Sequence, residues 1–244
     1  MPQVTSAGAT QFARYAFPPN DLGYCGPDGA TDLLEHTTAG GGELEVARRA
    51  PLFDGAWAYL QVLGSAAGLD PLDPRVVDAY WVGNDLLAAV DPDDLLAALQ
   101  DRFQDQAGGL LPRVAASRDV VAHHGFHVFA VYPWVGLLSR GGDVPRSVLD
   151  SCRIRWGTVV SVVGERVEVD SRPLTWDGIR LGLGPSRVES VRWSTQGRSL
   201  DVAPGAGDVV SMHWDWICER LTATQAEALE QATGQVLSMA NALL

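Results

Sequence analysis

The chain has no lysine: all eighteen basic residues among its 244 are arginine. A lysine Schiff base and a lysine phosphate clamp are therefore excluded. Basic charge is sparse as well. Thirty acidic residues leave a net charge of −12, and no basic cluster exceeds Arg48–Arg49 or the Arg153/Arg155 pair. A nucleic-acid binder needs a basic patch to release counterions, so nucleic acid is excluded as a partner. Cysteine is scarce: Cys25, Cys152 and Cys218 are too few for a disulfide framework. The opening MPQVTSAGATQFARYAF has no apolar stretch of the secretory type, and a cytoplasmic protein is expected. Long apolar runs are also missing. The longest, Val120 to Leu138, carries three histidines, two glycines and a proline, so no membrane span is expected.

What is present is a globular composition, 46% hydrophobic and 20% charged, enough for a sizeable core. The length exceeds the usual domain size of about 100–150 residues, which implies two domains. Up to Gly29 the chain reads as irregular, since Phe17-Pro-Pro-Asn20 and Cys25-Gly-Pro-Asp-Gly29 are rich in turn residues. Cys25 in that loop is either a buried structural thiol or an exposed one. From Ala30 the apolar spacing turns helical over Thr31–His36, Leu44–Arg49 and Asp54–Leu63, broken at Gly40–Gly42 and Pro51. Asp73-Pro74 and Asp91-Pro92 each place a capping aspartate before a proline suited to the first helical turn. The carboxylates of Asp91-Pro-Asp-Asp94 read as capping at a positive helix end, not as a catalytic pair. A Gln106–Gly109 loop follows, and Ser139–Pro145 reads as a linker.

Beyond the linker the period changes to two. Gly157–Val163 and Arg166–Asp170 read as a hairpin, with further strands at Arg187–Trp193 and Val209–Met212. Thr222-Ala-Thr-Gln225 fits a capping box opening a last helix. The fold expected is α+β: a helical domain over residues 1–140, then a small OB-like β-barrel with a C-terminal helix over 150–244.

Two groups of residues carry candidate chemistry. In VVAHHGFHVFAV, a helical start would put His123 and His127, or His124 and His127, on one face. Two histidines so spaced can chelate one metal with ligands from elsewhere. No glutamate lies between them, so the pattern is not that of a zinc protease, and buried histidines bonding across an interface are the other reading. The second group is Cys152 and His213, expected on the first and last strands of the barrel.

The block Cys152-Arg-Ile-Arg-Trp-Gly157-Thr-Val-Val160, with Gly207-Asp208-Val-Val210, His213 and Glu219-Arg220-Leu221, is similar to the small hydrogenase maturation chaperones of the HypC/HupF family. Those proteins start Met-Cys-x-x-x-x-Gly-x-Val-Val and close Gly-Asp-x-Val-x-x-His before Glu-Arg-Leu. The resemblance covers roughly residues 150–235. It implies an OB-like barrel in which Cys152 and His213 carry iron with cyanide and carbonyl ligands. It also implies docking on a maturation scaffold or on the hydrogenase large subunit. A thiolate is a soft ligand suited to low-spin iron, and an imidazole can ligate beside it. The sequence departs from the pattern in three places: Cys152 is internal, Trp156 replaces a proline, and Trp214-Asp-Trp-Ile-Cys218 is bulkier than its counterpart. Trp214 and Trp216 read as core filling or as a docking surface, and Cys218 as an inert buried thiol. Two other functions stay open: a metal- or haem-dependent enzyme built on His123, His124 and His127, with Cys25 or Cys152, and a metal-free interaction module.

Overall fold

The structure, a computed structural model, describes residues 6–39, 42–103, 110–140 and 142–244. Ten helices and nine strands are assigned among them. The opening is helical from Ser6 as far as Asp21, and of its described residues only 22–29 are irregular as expected. Helix α1 (Ser6–Asp21) runs through Pro18 and Pro19, which fall in its last turn. Ala9, Phe12, Ala13 and Ala16 recur at helical spacing and are all buried, and that stripe outweighs the prolines. Helices α2 (Ala30–Ala39), α3 (Glu43–Arg49) and α4 (Asp54–Ala67) follow. Gly40 and Gly41 of the expected glycine break, and the Gln106–Gly109 loop, lie outside the described residues.

Helix α5 (Pro74–Trp81) starts as its Asp-Pro pair dictates, with the Asp73 carboxylate accepting from the Arg75 amide. Asp91 does the same for the Asp93 amide ahead of α6 (Pro92–Phe103). After α7 (Leu111–Ser117) comes a single helical turn, α8 (His124–Phe126), which passes into a π-helical turn over His127–Val131. The expected linker ends in helix: Ser139, Arg140 and Gly142 form turns, but α9 (Asp143–Cys152) takes up its last three residues and buries Pro145. A proline in the first turn of a helix costs no hydrogen bond, so Val-Pro145 starts a helix there and does not break one.

Strands β1 (Arg155–Val163) and β2 (Arg166–Ser171) form the expected hairpin, turning at Gly164 with φ +60°. Gly157 lets them close up, since a Cβ there would sit 2.4 Å from the Asp170 carbonyl. Two short hairpins, β3 (Leu174–Trp176) with β4 (Leu181–Leu183) and β6 (Ser194–Thr195) with β7 (Arg198–Ser199), flank β5 (Arg187–Arg192). Strands β8 (Val209–His213) and β9 (Trp216–Arg220) complete a five-stranded sheet in the order β1–β2–β5–β9–β8, with β8 pairing back onto β1. The step from β5 to β9 is one parallel pair, Arg192 with Trp216. Val159, Val167, Val169, Val191, Val210, Met212 and Ile217 fill the space between these strands.

The chain ends in α10 (Ala223–Leu243), capped by Thr222 and Gln225 as the sequence implies. The side-chain amide of Asn241 in its last turn accepts from the Leu181 N–H of β4 and donates to the Leu181 carbonyl. One continuous apolar cluster extends from α1 through α9 and the sheet to α10. Among the described residues no helix is long and apolar enough to cross a membrane.

Candidate metal centre

Three elements distant in sequence meet inside that cluster. Cys152 is the last residue of α9, not a strand residue, and His213 ends β8, with β9 still to come. His124 opens the single turn α8. All three side chains are buried, and one ligand atom from each lies within 4.8 Å of one from each of the others. The His124 and His213 rings stand 5.1 Å apart, edge to face at 74°. Trp81, which ends α5, packs against both, at 4.6 Å from His124 and 5.8 Å from His213.

The hydrogen bonds set the tautomers. Nδ1 of His213 faces the Tyr15 carbonyl at 2.7 Å, and a carbonyl can only accept, so that nitrogen carries the proton. Nε2 of His213 is then a bare lone pair, and it is buried without a hydrogen-bond partner. Nε2 of His124 likewise donates to the Cys152 carbonyl at 2.9 Å, which leaves Nδ1 as the lone pair, 3.1 Å from the Tyr80 hydroxyl. That hydroxyl already donates to the Gly55 carbonyl at 2.9 Å. A ring nitrogen donating to a backbone carbonyl while the other points inward is how metal-ligating histidines are held.

Burial pushes His213 down to about 4, with carbonyl contacts from Tyr15 and Cys152 opposing and Arg155 adding slightly. His124 also falls well below the ordinary histidine value, first through burial and then through His213. Both imidazoles are therefore neutral at physiological pH, the form that ligates. Burial pushes the Cys152 thiol up, with Cys25 nearby adding to it. Without a metal it stays protonated; a bound cation would take the thiolate and release the proton.

The helical spacing of His123 and His127 is not realised, whereas His124 and His127 both lie in helical backbone and border one cavity. His123 has extended backbone, φ −123° and ψ 147°, and its Nδ1 caps α8 by accepting from the Gly125 amide at 3.0 Å. The helix starts one residue too late for His123 and His127 to share a face. His127 borders the same small cavity outside the group of three, 3.3 Å from the Tyr59 hydroxyl through Nδ1, with Nε2 unpartnered. Burial takes it to about 3 and His123 to about 4. The cavity, about 30 Å³, is bounded by Cys25, Tyr80, His124, His127, Cys152 and His213 among others. Tyr80, Trp81 and the Tyr15 carbonyl, which orient the cluster, carry no sequence signal of their own. Their only mark is position on the buried stripes of α1 and α5.

Cys218, on β9, is fully buried, and burial raises its thiol. Trp216 is core, edge to face with Phe17 at 5.2 Å. Trp214, at the β8–β9 turn with φ +53°, stacks at 4.2 Å on Tyr24 of the loop after α1.

Fold and site together define a mixed α+β protein with a buried His–Cys–His cluster between its helices and its sheet. The chain belongs to a family of unknown function, DUF6390, whose model matches residues 4–244. No curated protein and no solved structure matches it.

Proposed function

We propose that this protein is a cytoplasmic accessory protein of nickel–iron hydrogenase maturation. It holds iron at Cys152 and His213 and passes it on while docked to a scaffold protein or to the hydrogenase large subunit. The observation that carries the reading is the convergence of the motif cysteine and the motif histidine on one buried point, with His124 joining from the helical half. In this reading the five-stranded sheet is an OB-like barrel, and the first half of the chain supplies the third ligand in place of a separate protein.

The donor set fits iron: two neutral imidazoles with fixed tautomers and one thiol that becomes a soft thiolate on binding. The cavity accommodates one or two water-sized groups. An iron carrying three diatomic ligands exceeds that volume, so cargo of this kind requires a wider cavity, whereas a bare ion fits as the protein stands.

The test is metal analysis with infrared spectroscopy on protein purified without oxygen from its own host, beside Cys152→Ala and His213→Ala. Iron with cyanide and carbonyl stretches, lost in both variants, is the expected result. Iron without those bands refutes the cargo, and absence of metal from the unmodified protein refutes the metal-holding role itself.

A further inference from the structure

We infer that Cys25 is the fourth ligand of this centre, closing a site of two imidazoles and two thiolates for a divalent cation of borderline softness such as Zn²⁺ or Fe²⁺. The inference rests on the metal-holding reading above and adds a residue outside the motif that led to it.

Placement is the first argument. Cys25 borders the same cavity as His124, Cys152 and His213 but stands outside the group of three whose ligand atoms lie within 4.8 Å of one another. The loop that bears it is tied down, so its side chain has to turn inward to bring the sulfur to the ion. Asn20, buried at the end of α1, donates from its side chain to the carbonyls of Cys25 at 2.8 Å and Pro27 at 2.7 Å. Gly26, at φ +82°, lies so close against Phe53 that a Cβ would fall 2.2 Å from the ring. Tyr24 stacks on Trp214, the neighbour of His213. The loop is thus fastened on both sides of the thiol, against α1 and against the end of β8.

Charge is the second argument. No aspartate, glutamate or arginine borders the cavity, and the chain has no lysine. A divalent ion on two neutral imidazoles and one thiolate would leave a net positive charge in an apolar enclosure, which is costly. A second thiolate brings the complex to neutrality. His127 also borders the cavity with an unpartnered Nε2, but a neutral ring leaves the charge uncompensated. A second observation is the buried Nε2 of His213, which borders the same space without a hydrogen-bond partner and would find one in a bound cation. Two nitrogens and two sulfurs form a tetrahedral donor set of the kind that takes Zn²⁺.

The probe is Co²⁺ alone, titrated anaerobically into reduced protein and followed through its thiolate-to-cobalt charge-transfer absorption. The wild type should give the intensity of two thiolates. In Cys25→Ser the band should fall by about half, and affinity should drop by at least about tenfold. An unchanged spectrum in Cys25→Ser overturns the inference and leaves the three-ligand centre standing. Failure of the wild type to take up Co²⁺ overturns the inference together with the metal-holding reading. A second measurement needs no variant: alkylation of the wild type, mapped by mass spectrometry with and without Co²⁺. Bound metal should protect Cys25 and Cys152 together, and protection of Cys152 alone contradicts the assignment.

Discussion

The Tyr15 and Cys152 carbonyls each fix a histidine tautomer, and that has consequences for folding as well as for ligation. Four histidines, His123, His124, His127 and His213, are buried and neutral in the folded chain. Unfolded, each titrates near 6.5. Between 6.5 and about 4 the unfolded chain takes up protons that the folded chain refuses, so stability is lost as pH falls through that window. Each such group contributes a slope of about 1.4 kcal/mol per pH unit, and four give about 5 where all are engaged. Urea unfolding at pH 7, 6 and 5 should show the midpoint dropping steeply. A flat midpoint down to pH 5 contradicts the buried neutral assignment. Tyr80→Phe is a narrower test. It strips the Gly55 carbonyl of its donor, a loss of about 1–3 kcal/mol. His124 stays oriented by the Cys152 carbonyl, so Co²⁺ affinity should change little while the urea midpoint falls.

Elements differ in how much of themselves a sequence displays, and the reason is which forces are local. The Asp-Pro starts of α5 and α6, the β1–β2 hairpin and the capping box of α10 were legible because each depends on residues within a few positions of one another. Helix α1 was hidden because Pro18 and Pro19 signal a break locally, while its stability comes from Phe12, Tyr15 and Ala16 meeting distant partners. For the same reason the first turn of α9 reads as linker: Asp-Val-Pro145 after a glycine is loop-like locally, and the burial of Val148 and Leu149 further on favours helix. The candidate site divides likewise. Cys152 and His213 could be named from a motif, but placing His124 with them, and His123 and His127 apart, required knowing that α8 starts at His124. Local capping also yields a testable magnitude. Thr222→Ala removes the acceptor for the Gln225 amide and should cost about 1 kcal/mol. Because Asn241 at the far end of α10 holds β4, that loss should appear in the global urea midpoint and not only as local fraying.

At the scale of the whole molecule, the helices and the sheet complete each other's interior. Val159, Val167 and five other residues between the strands are a small core of their own. The larger cluster draws Cys152, Ile154, Trp216, Cys218 and Leu221 from the second half, and they pack with α1, α4 and α5 of the first. A buried polar contact crosses the same boundary. The Tyr15 hydroxyl lies 2.8 Å from Ser211 and donates to Glu219 at 2.7 Å, while Gln11 donates to Glu219 at 3.0 Å. Removing the first half would uncover the apolar side of α10 and of β9 and leave Glu219 without those donors. The His–Cys–His cluster would go too, since His124 belongs to that half. Residues 150–244 produced alone should therefore not fold cooperatively. The intact chain should melt in one transition, with tryptophan fluorescence and far-ultraviolet circular dichroism giving the same midpoint. Two separated transitions, or a fragment 150–244 with its own sharp melt, would show instead that the sheet stands alone and that the helical half is an attachment to it.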